Sequence, residues 1–334
     1  MNKKRVIMRD VAAEMGVSIV TVSKALAGKE GVSAELRTKI VEKAKEMGYI
    51  TRRKREIGHG LSLNVAIIIS ERFIKETSIY FKIYQKMIMK LSERGYIGIL
   101  EIIRKENEEV GVLPNVIRLR TVTQVIVIGE MSTFFLDLLM EAGLEIIFFD
   151  FEKEKFDVDC VVSDSVNSGF LLTRHLVKCG YRRIGFVGNY RYTRRNLDRF
   201  MGYIKYLMVK RQLVEPDWWI PDRDLNGNQV RLRLPENMPE AFVCCCDEAA
   251  YRLIDTLDQA GYSVPEDVAV VGCDDYAERM PMHIALTTYR MDVDEMINQC
   301  IYIVEQRARK AEYRRGTTIV HGQLVIRGSA EIKV

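Results

Sequence analysis

Asp10-Val-Ala-Ala-Glu-Met-Gly-Val-Ser-Ile-Val-Thr-Val-Ser-Lys-Ala-Leu-Ala27 is the stretch that decides how this chain begins, because its apolar residues keep helical spacing on either side of one glycine. Val11, Ala12 and Met15 share a helical face, Gly16 suits the positive φ that ends a first helix, and Ser18 stands where it caps a second. In the second helix Val22, Ala25 and Leu26 have core spacing. Ser18, Ile19, Val20, Thr21, Ser23 and Lys24 then remain toward the exposed N-terminal end and side. With a third helix expected from Ser33, the pattern spells a helix-turn-helix, whose second helix offers base edges its N-terminal end. Charge agrees. Residues 1–60 hold fourteen Lys and Arg against seven Asp and Glu, while the remaining chain holds thirty-six against thirty-nine. The positive surplus is concentrated where phosphates would be held.

These residues resemble the LacI/GalR family of bacterial transcription regulators. The resemblance rests on D-V-A-x-x-x-G-V-S-x-x-T-V-S-K-x-L over 10–26, Val32-Ser33, and Met47-Gly48-Tyr49-Ile50 closing the third helix. It implies a sequence-specific DNA-binding protein, with Lys3, Lys4, Lys24, Lys29 and a basic run including Arg52, Arg53 and Arg55 on phosphates. Ile19 and Val20 would favour thymine methyl groups.

At 334 residues the chain has room beyond this module for one or two further cores. No run is long and apolar enough to span a bilayer, and Arg9 and Asp10 interrupt any signal-like start, so a cytoplasmic location is expected. Seven cysteines are scattered, apart from Cys244-Cys245-Cys246 in an apolar run. Consecutive strand residues face alternate sides, so the triplet is expected to be buried free thiols, with no metal and no cofactor. Thr51-Arg-Arg-Lys-Arg55 followed by Gly58-His-Gly60 marks 50–63 as a linker after a 1–49 helix-turn-helix domain. Beyond it, strand-like runs at 65–69, 98–103, 125–128, 145–149, 160–162, 184–187, 241–246 and 268–271 alternate with amphipathic stretches. That alternation predicts an α/β fold with parallel sheets and helices on both faces, in two Rossmann-like subdomains.

Ligands of such sheets bind beyond the C-terminal strand ends, where this chain is acidic: Asp150, Asp164, Asp247 and Asp274-Asp275. Carboxylates with an arginine can hold vicinal hydroxyls of a sugar, and aromatic faces can cover its apolar side. The family resemblance returns most strongly over 160–290, in Asp164 to Gly169, Gly180 to Gly188, Arg199-Phe-Met-Gly202 and Asp247 to Asp275. It implies a core similar to periplasmic sugar-binding proteins, with subdomains of 64–162 plus about 291–320 and 163–290 plus about 321–334. It maps effector contacts onto Arg199 and Asp274, and further ones onto Tyr80 or Phe81, Asp150, Asp247 and Trp219. The expected partners are operator DNA, a sugar-like effector and a second copy of the chain, with no membrane.

Two departures stand out. Cys246-Asp247 replaces the family's usual Asn-Asp, removing an amide that reads a hydroxyl. In the hinge Gly58 replaces a leucine that wedges into the minor groove, leaving Ile57 as a displaced wedge or the basic run as an electrostatic substitute. Two other classes compete. A non-DNA-binding solute-binding protein would share the cleft but not the helix-turn-helix. A sugar-processing enzyme would need an acid/base set or nucleophile, and His59, His175, His283 and His321 lack metal-ligand spacing, as the chain lacks a G-x-S-x-G elbow. The chain therefore reads as a regulator, most simply a repressor, and not as an enzyme.

Overall fold

The computed structural model describes residues 8–26, 31–47, 64–74, 79–276 and 284–332. The chain divides into two compact units, Met1–Leu63 and Asn64–Val334.

In the first unit α1 (Met8–Met15), α2 (Ile19–Leu26) and α3 (Ala34–Glu46) enclose a small core of Val11, Ala12, Val22, Ala25, Ile40 and Ala44. Gly16 has φ +62°, which stops α1, and Ser18 accepts the Thr21 N–H at 3.0 Å to start α2. Ser33 caps α3 in the same way, accepting from Leu36 N at 3.3 Å.

The second unit holds two six-stranded sheets. The first contains β1 (Asn64–Ser70), β2 (Ile97–Ile103), β3 (Gln124–Ile128), β4 (Glu145–Phe149), β5 (Asp159–Ser163) and, from near the end of the chain, β11 (Thr317–Val320). Its order is β11-β5-β4-β3-β1-β2 and every pairing is parallel. The second contains β6 (Ile184–Val187), β7 (Trp219–Ile220), β8 (Ala241–Cys244), β9 (Ala269–Cys273), β10 (Thr287–Arg290) and β12 (Gln323–Val325), ordered β12-β10-β9-β8-β6-β7. Only β12 runs antiparallel to its neighbour.

Helices on both faces explain why β1 is apolar at every interior position. Val65, Ile67 and Ile69 pack with Ile83, Met87 and Leu91 of the helix Ile79–Glu93. Ala66 and Ile68 face the opposite way, toward Phe135, Leu136 and Leu139. The chain leaves the first sheet after β5, returns through the helix Val293–Arg309, and crosses back between β11 and β12.

In the second half the helices Ser165–Lys178 and Arg194–Val209 meet backbone to backbone. A Cβ on Gly169 would lie 2.0 Å from the Arg199 carbonyl oxygen, and one on Gly202 would lie 2.0 Å from that of Val166. Only glycine fits at this crossing. Toward the end of the helix Ser165–Lys178, His175 is a packing residue, its Nε2 3.1 Å from the Ala330 carbonyl, and burial lowers its pKa.

Four strands have no counterpart among the apolar runs. β7 has two residues, and β10, β11 and β12 are short and rich in Thr or Gln. The expected strand 241–246 also ends early, at Cys244, because Cys246 already precedes the helix Asp247–Gln259. No helix among the described residues is long and apolar enough to cross a membrane.

Candidate DNA-binding surface and ligand cleft

On the first unit the sequence-predicted reading surface is exposed. Ile19 is 44 % and Val20 63 % accessible, large values for apolar side chains with no core to fill, and Ser23 and Lys24 are also exposed. Thr21 is half-buried, its hydroxyl 2.8 Å from that of Ser18. Ser18 thus acts first as a cap. Lys29, Arg52, Arg53, Arg55 and Ile57 lie outside the described residues.

In the second unit the C-terminal strand ends of both sheets border one cavity. Its lining includes Arg72, Phe73 and Tyr80 from the first half, and Tyr192, Arg195, Asn196, Arg223, Cys245, Cys246, Asp247, Glu248, Asp274 and Tyr276 from the second. Three arginines and three carboxylates therefore share one space, with aromatic rings among them.

Asp150 follows β4 with φ +66° and spends both oxygens internally. Its Oδ2 accepts from Tyr80 Oη at 2.8 Å and Arg195 Nη1 at 2.7 Å, and its Oδ1 accepts from Ser163 Oγ at 3.1 Å. Arg195 also stacks over the Tyr80 ring, 5.1 Å from its centroid. Burial drives the Tyr80 hydroxyl pKa well up, with Asp150 adding to the effect and Arg195 opposing it. Arg194 adds an ion pair to Glu152 at 2.9 Å, and its backbone N–H donates to Glu130 Oε2 at 3.1 Å. Two consecutive arginines of the second half thus tie it to acids of the first. Asp150 is a bridge post behind the cavity wall.

Arg199, 2 % accessible, donates through Nη2 to Asp274 Oδ1 at 2.8 Å and through Nη1 to the Cys245 carbonyl. Of this pair only Asp274 lines the cavity, and Arg199 aligns it from behind. Asp274 and Asp275 both hold positive φ, +121° and +52°, a conformation that costs free energy outside glycine and clusters at functional sites. Asp275 turns away from the cavity lining, to Arg290 and Arg327, each at 2.6 Å. Those hydrogen bonds overcome burial and hold its pKa down.

Asp247 is buried and accepts from Thr288 Oγ1 at 2.6 Å and Tyr276 N at 2.8 Å. Burial, then the neighbouring Asp274, pushes its pKa up to about 7. It is an acid poised to lose its proton near neutrality.

Phe81 and Trp219 are not among the cavity-lining residues. Phe81 packs edge-on to Tyr84 at 5.2 Å, and Trp219 packs edge-on to Phe200 at 4.9 Å. Tyr80 and Tyr192 supply the rings instead. Sequence reading passed over Arg72, Tyr192, Arg195 and Arg223. A signal for two of them lies in the sequence, since Arg72 follows β1 and Arg223 follows β7.

A helix-turn-helix unit with an apolar reading face and a two-sheet unit with a polar cleft define a ligand-responsive DNA-binding regulator. Residues 7–52 match the bacterial regulatory proteins of the lacI family, and residues 173–330 match a periplasmic binding protein-like domain. The chain thus joins a lacI-family DNA-binding domain to a periplasmic binding protein-like domain, and its relatives and fold are those of lacI-family transcriptional regulators, which are not enzymes. It is 24% identical to the HTH-type transcriptional repressor PurR of Mannheimia succiniciproducens over 333 residues, 97% of this chain and 98% of that one. It is 34% identical over 190 residues to the arabinose metabolism transcriptional repressor of Geobacillus stearothermophilus, covering 52% of this chain and 50% of the relative. Among solved structures, the lac repressor dimer bound to operator and the anti-inducer ONPF superposes with a TM-score of 0.68 at 20% identity, covering 98% of this chain and 100% of that one. The CelR–cellobiose complex gives 0.68 at 22%, covering 97% and 100%.

Proposed function

We propose that this chain is a homodimeric repressor whose operator affinity is set by a sugar or sugar derivative bound between the subdomains 64–162 with 291–320 and 163–290 with 321–334. Ile19, Val20 and Lys24 contact base edges, and the basic charge of residues 1–60 holds phosphates. The observation that carries the effector reading is the cavity wall itself, which Arg195, Arg223, Asn196, Asp247 and Asp274 share with Tyr80 and Tyr192. Paired donors and acceptors around a ring-sized apolar surface are what a polyhydroxylated ligand requires. The arabinose repressor and the cellobiose complex support the same class.

The cavity encloses about 90 Å³, well under the roughly 300–1,000 Å³ of ligand pockets. A ligand of sugar size therefore enters as the Arg195–Asp150 and Arg194–Glu152 bridges part, so binding selects among relative positions of the two halves. Its influence on operator affinity is bounded by its preference between those states, commonly about 1–3 kcal/mol.

The test is a thermal-shift screen of neutral sugars, sugar acids, sugar phosphates and nucleobases, with operator binding measured alongside. A stabilising sugar-class compound that changes operator affinity, and whose effect is lost in Asp274→Asn and Tyr80→Phe, is expected. Stabilisation by nucleobases alone would overturn the sugar reading, and absence of salt-sensitive DNA binding would overturn the regulator.

A further inference from the structure

The cysteine triplet does not behave as a strand. β8 ends at Cys244, Cys245 N donates to the Val187 carbonyl at 2.7 Å, and Cys246 takes the extended N-cap position of the next helix, with φ −157° and ψ 165°. Released from alternation, the Cys245 and Cys246 sulfurs lie 3.9 Å apart. Asp222, fully buried just after β7, joins them from another strand end, and its carboxylate and both sulfurs lie within 4.8 Å of one another.

We propose that Cys245, Cys246 and Asp222 form a binding site for one divalent thiophilic cation of the zinc class, opening onto the ligand cavity. Two thiolates on a tetrahedral zinc, with bonds of about 2.3 Å, stand about 3.8 Å apart. The sulfurs already hold that separation. Asp222 is oriented as metal-bound carboxylates are: Oδ1 accepts from Asn189 N at 2.9 Å and Oδ2 from Arg223 Nε at 2.6 Å, and each oxygen keeps a second lone pair.

Charge favours the same class. Arg223 is shared between Asp222 and Glu248, so two thiolates leave the cluster strongly negative, which a dication offsets. Arg223 Nη2 also donates to the Cys246 sulfur at 3.8 Å, which fixes that sulfur beside Asp222. Sulfur ligands select soft ions over magnesium or calcium. Both cysteines line the cavity, so with three protein ligands the fourth position faces it, open to water or a small-molecule donor. A disulfide suits the pair less well, because consecutive Cα atoms are about 3.8 Å apart against the roughly 4.4–6.8 Å that disulfides span.

The experiment is titration of reduced full-length protein with Cd²⁺, read by ultraviolet thiolate-to-metal absorbance, and with Zn²⁺ against a chelating indicator. One ion per chain is expected, with affinity reduced at least tenfold in Cys246→Ser and in Asp222→Asn and unchanged in Cys179→Ser. Each variant is checked for native circular dichroism. Cys246 is partly exposed, so its variant carries the test should Asp222→Asn fail to fold. No charge-transfer band at one equivalent, equal affinity in Cys246→Ser, or a Cys245–Cys246 disulfide by mass spectrometry as the sole response would overturn the site. None of these measurements involves DNA or sugar, so the effector reading is tested separately.

Discussion

The DNA-binding unit and the cleft unit solve different assembly problems. The first closes around a core that, among the described residues, has six buried apolar side chains drawn from residues 11 to 44. The cleft gathers Arg72, Asp247 and Asp274 from beyond strand ends in two sheets and Arg195 from the helix Arg194–Val209, across two hundred residues of chain. Local contacts need little loop closure, so a small core suffices for a surface whose chemistry is mostly the sequence of one helix. A polar site between two sheets needs large cores beneath it, because each buried charge must be held against a partner.

That contrast can be broken at Arg199. Replacing it by alanine leaves Asp274 buried without its partner, an expected loss of about 3–5 kcal/mol in chemical denaturation of the cleft unit. Operator binding by the folded fraction should keep its sequence preference. Should Arg199→Ala cost under about 1 kcal/mol, the buried pair is not the constraint described here.

The converse substitution is Ile40→Ala, which removes the largest fully buried side chain of the small core, at an expected cost of about 2–5 kcal/mol. Calorimetry should show the DNA-binding unit melting early and the main transition of the cleft unit unmoved, with operator binding lost. A common shift of both transitions would show the units to be one cooperative body.

Proton uptake also separates the units. Asp247 has its pKa raised to about 7 in the fold, against about 3.9 for an unfolded aspartate. Between these values the folded state carries more protons, so this group stabilises the cleft unit at low pH and its contribution is lost as pH rises toward 7. The slope is at most about 1.4 kcal/mol per pH unit. Denaturation midpoints from pH 4 to 8 should differ in slope between the native chain and Asp247→Asn, while the DNA-binding unit is indifferent to the change. Parallel profiles would show Asp247 to be ionised throughout.

The helix-turn-helix was readable because each of its decisions is local: Gly16 stops a helix, Ser18 starts one, and Val22 and Ala25 mark its buried side. The long apolar strands were readable for a similar reason, since burial on both faces leaves a continuous hydrophobic run. β10 and β11 were not, because Thr-rich strands of four residues carry little pattern. At the site, Arg199 and Asp274 were named from motifs, but their mutual pairing was not. Asp150, expected as a ligand contact, has both carboxylate oxygens hydrogen-bonded to Tyr80, Ser163 and Arg195. Spacing carries no information about partners seventy residues away. The cysteine triplet shows the same limit, since its strand reading held only to Cys244 and Asp222 arrives from a two-residue strand.

The glycine crossing at Gly169 and Gly202 has a mechanical consequence. With carbonyl oxygens where side chains would otherwise be, the two backbones of Ser165–Lys178 and Arg194–Val209 interlock without intervening side chains. Arg194, Arg195 and Arg199 all belong to that pair, so the contacts to Glu152, Asp150 and Asp274 share one support.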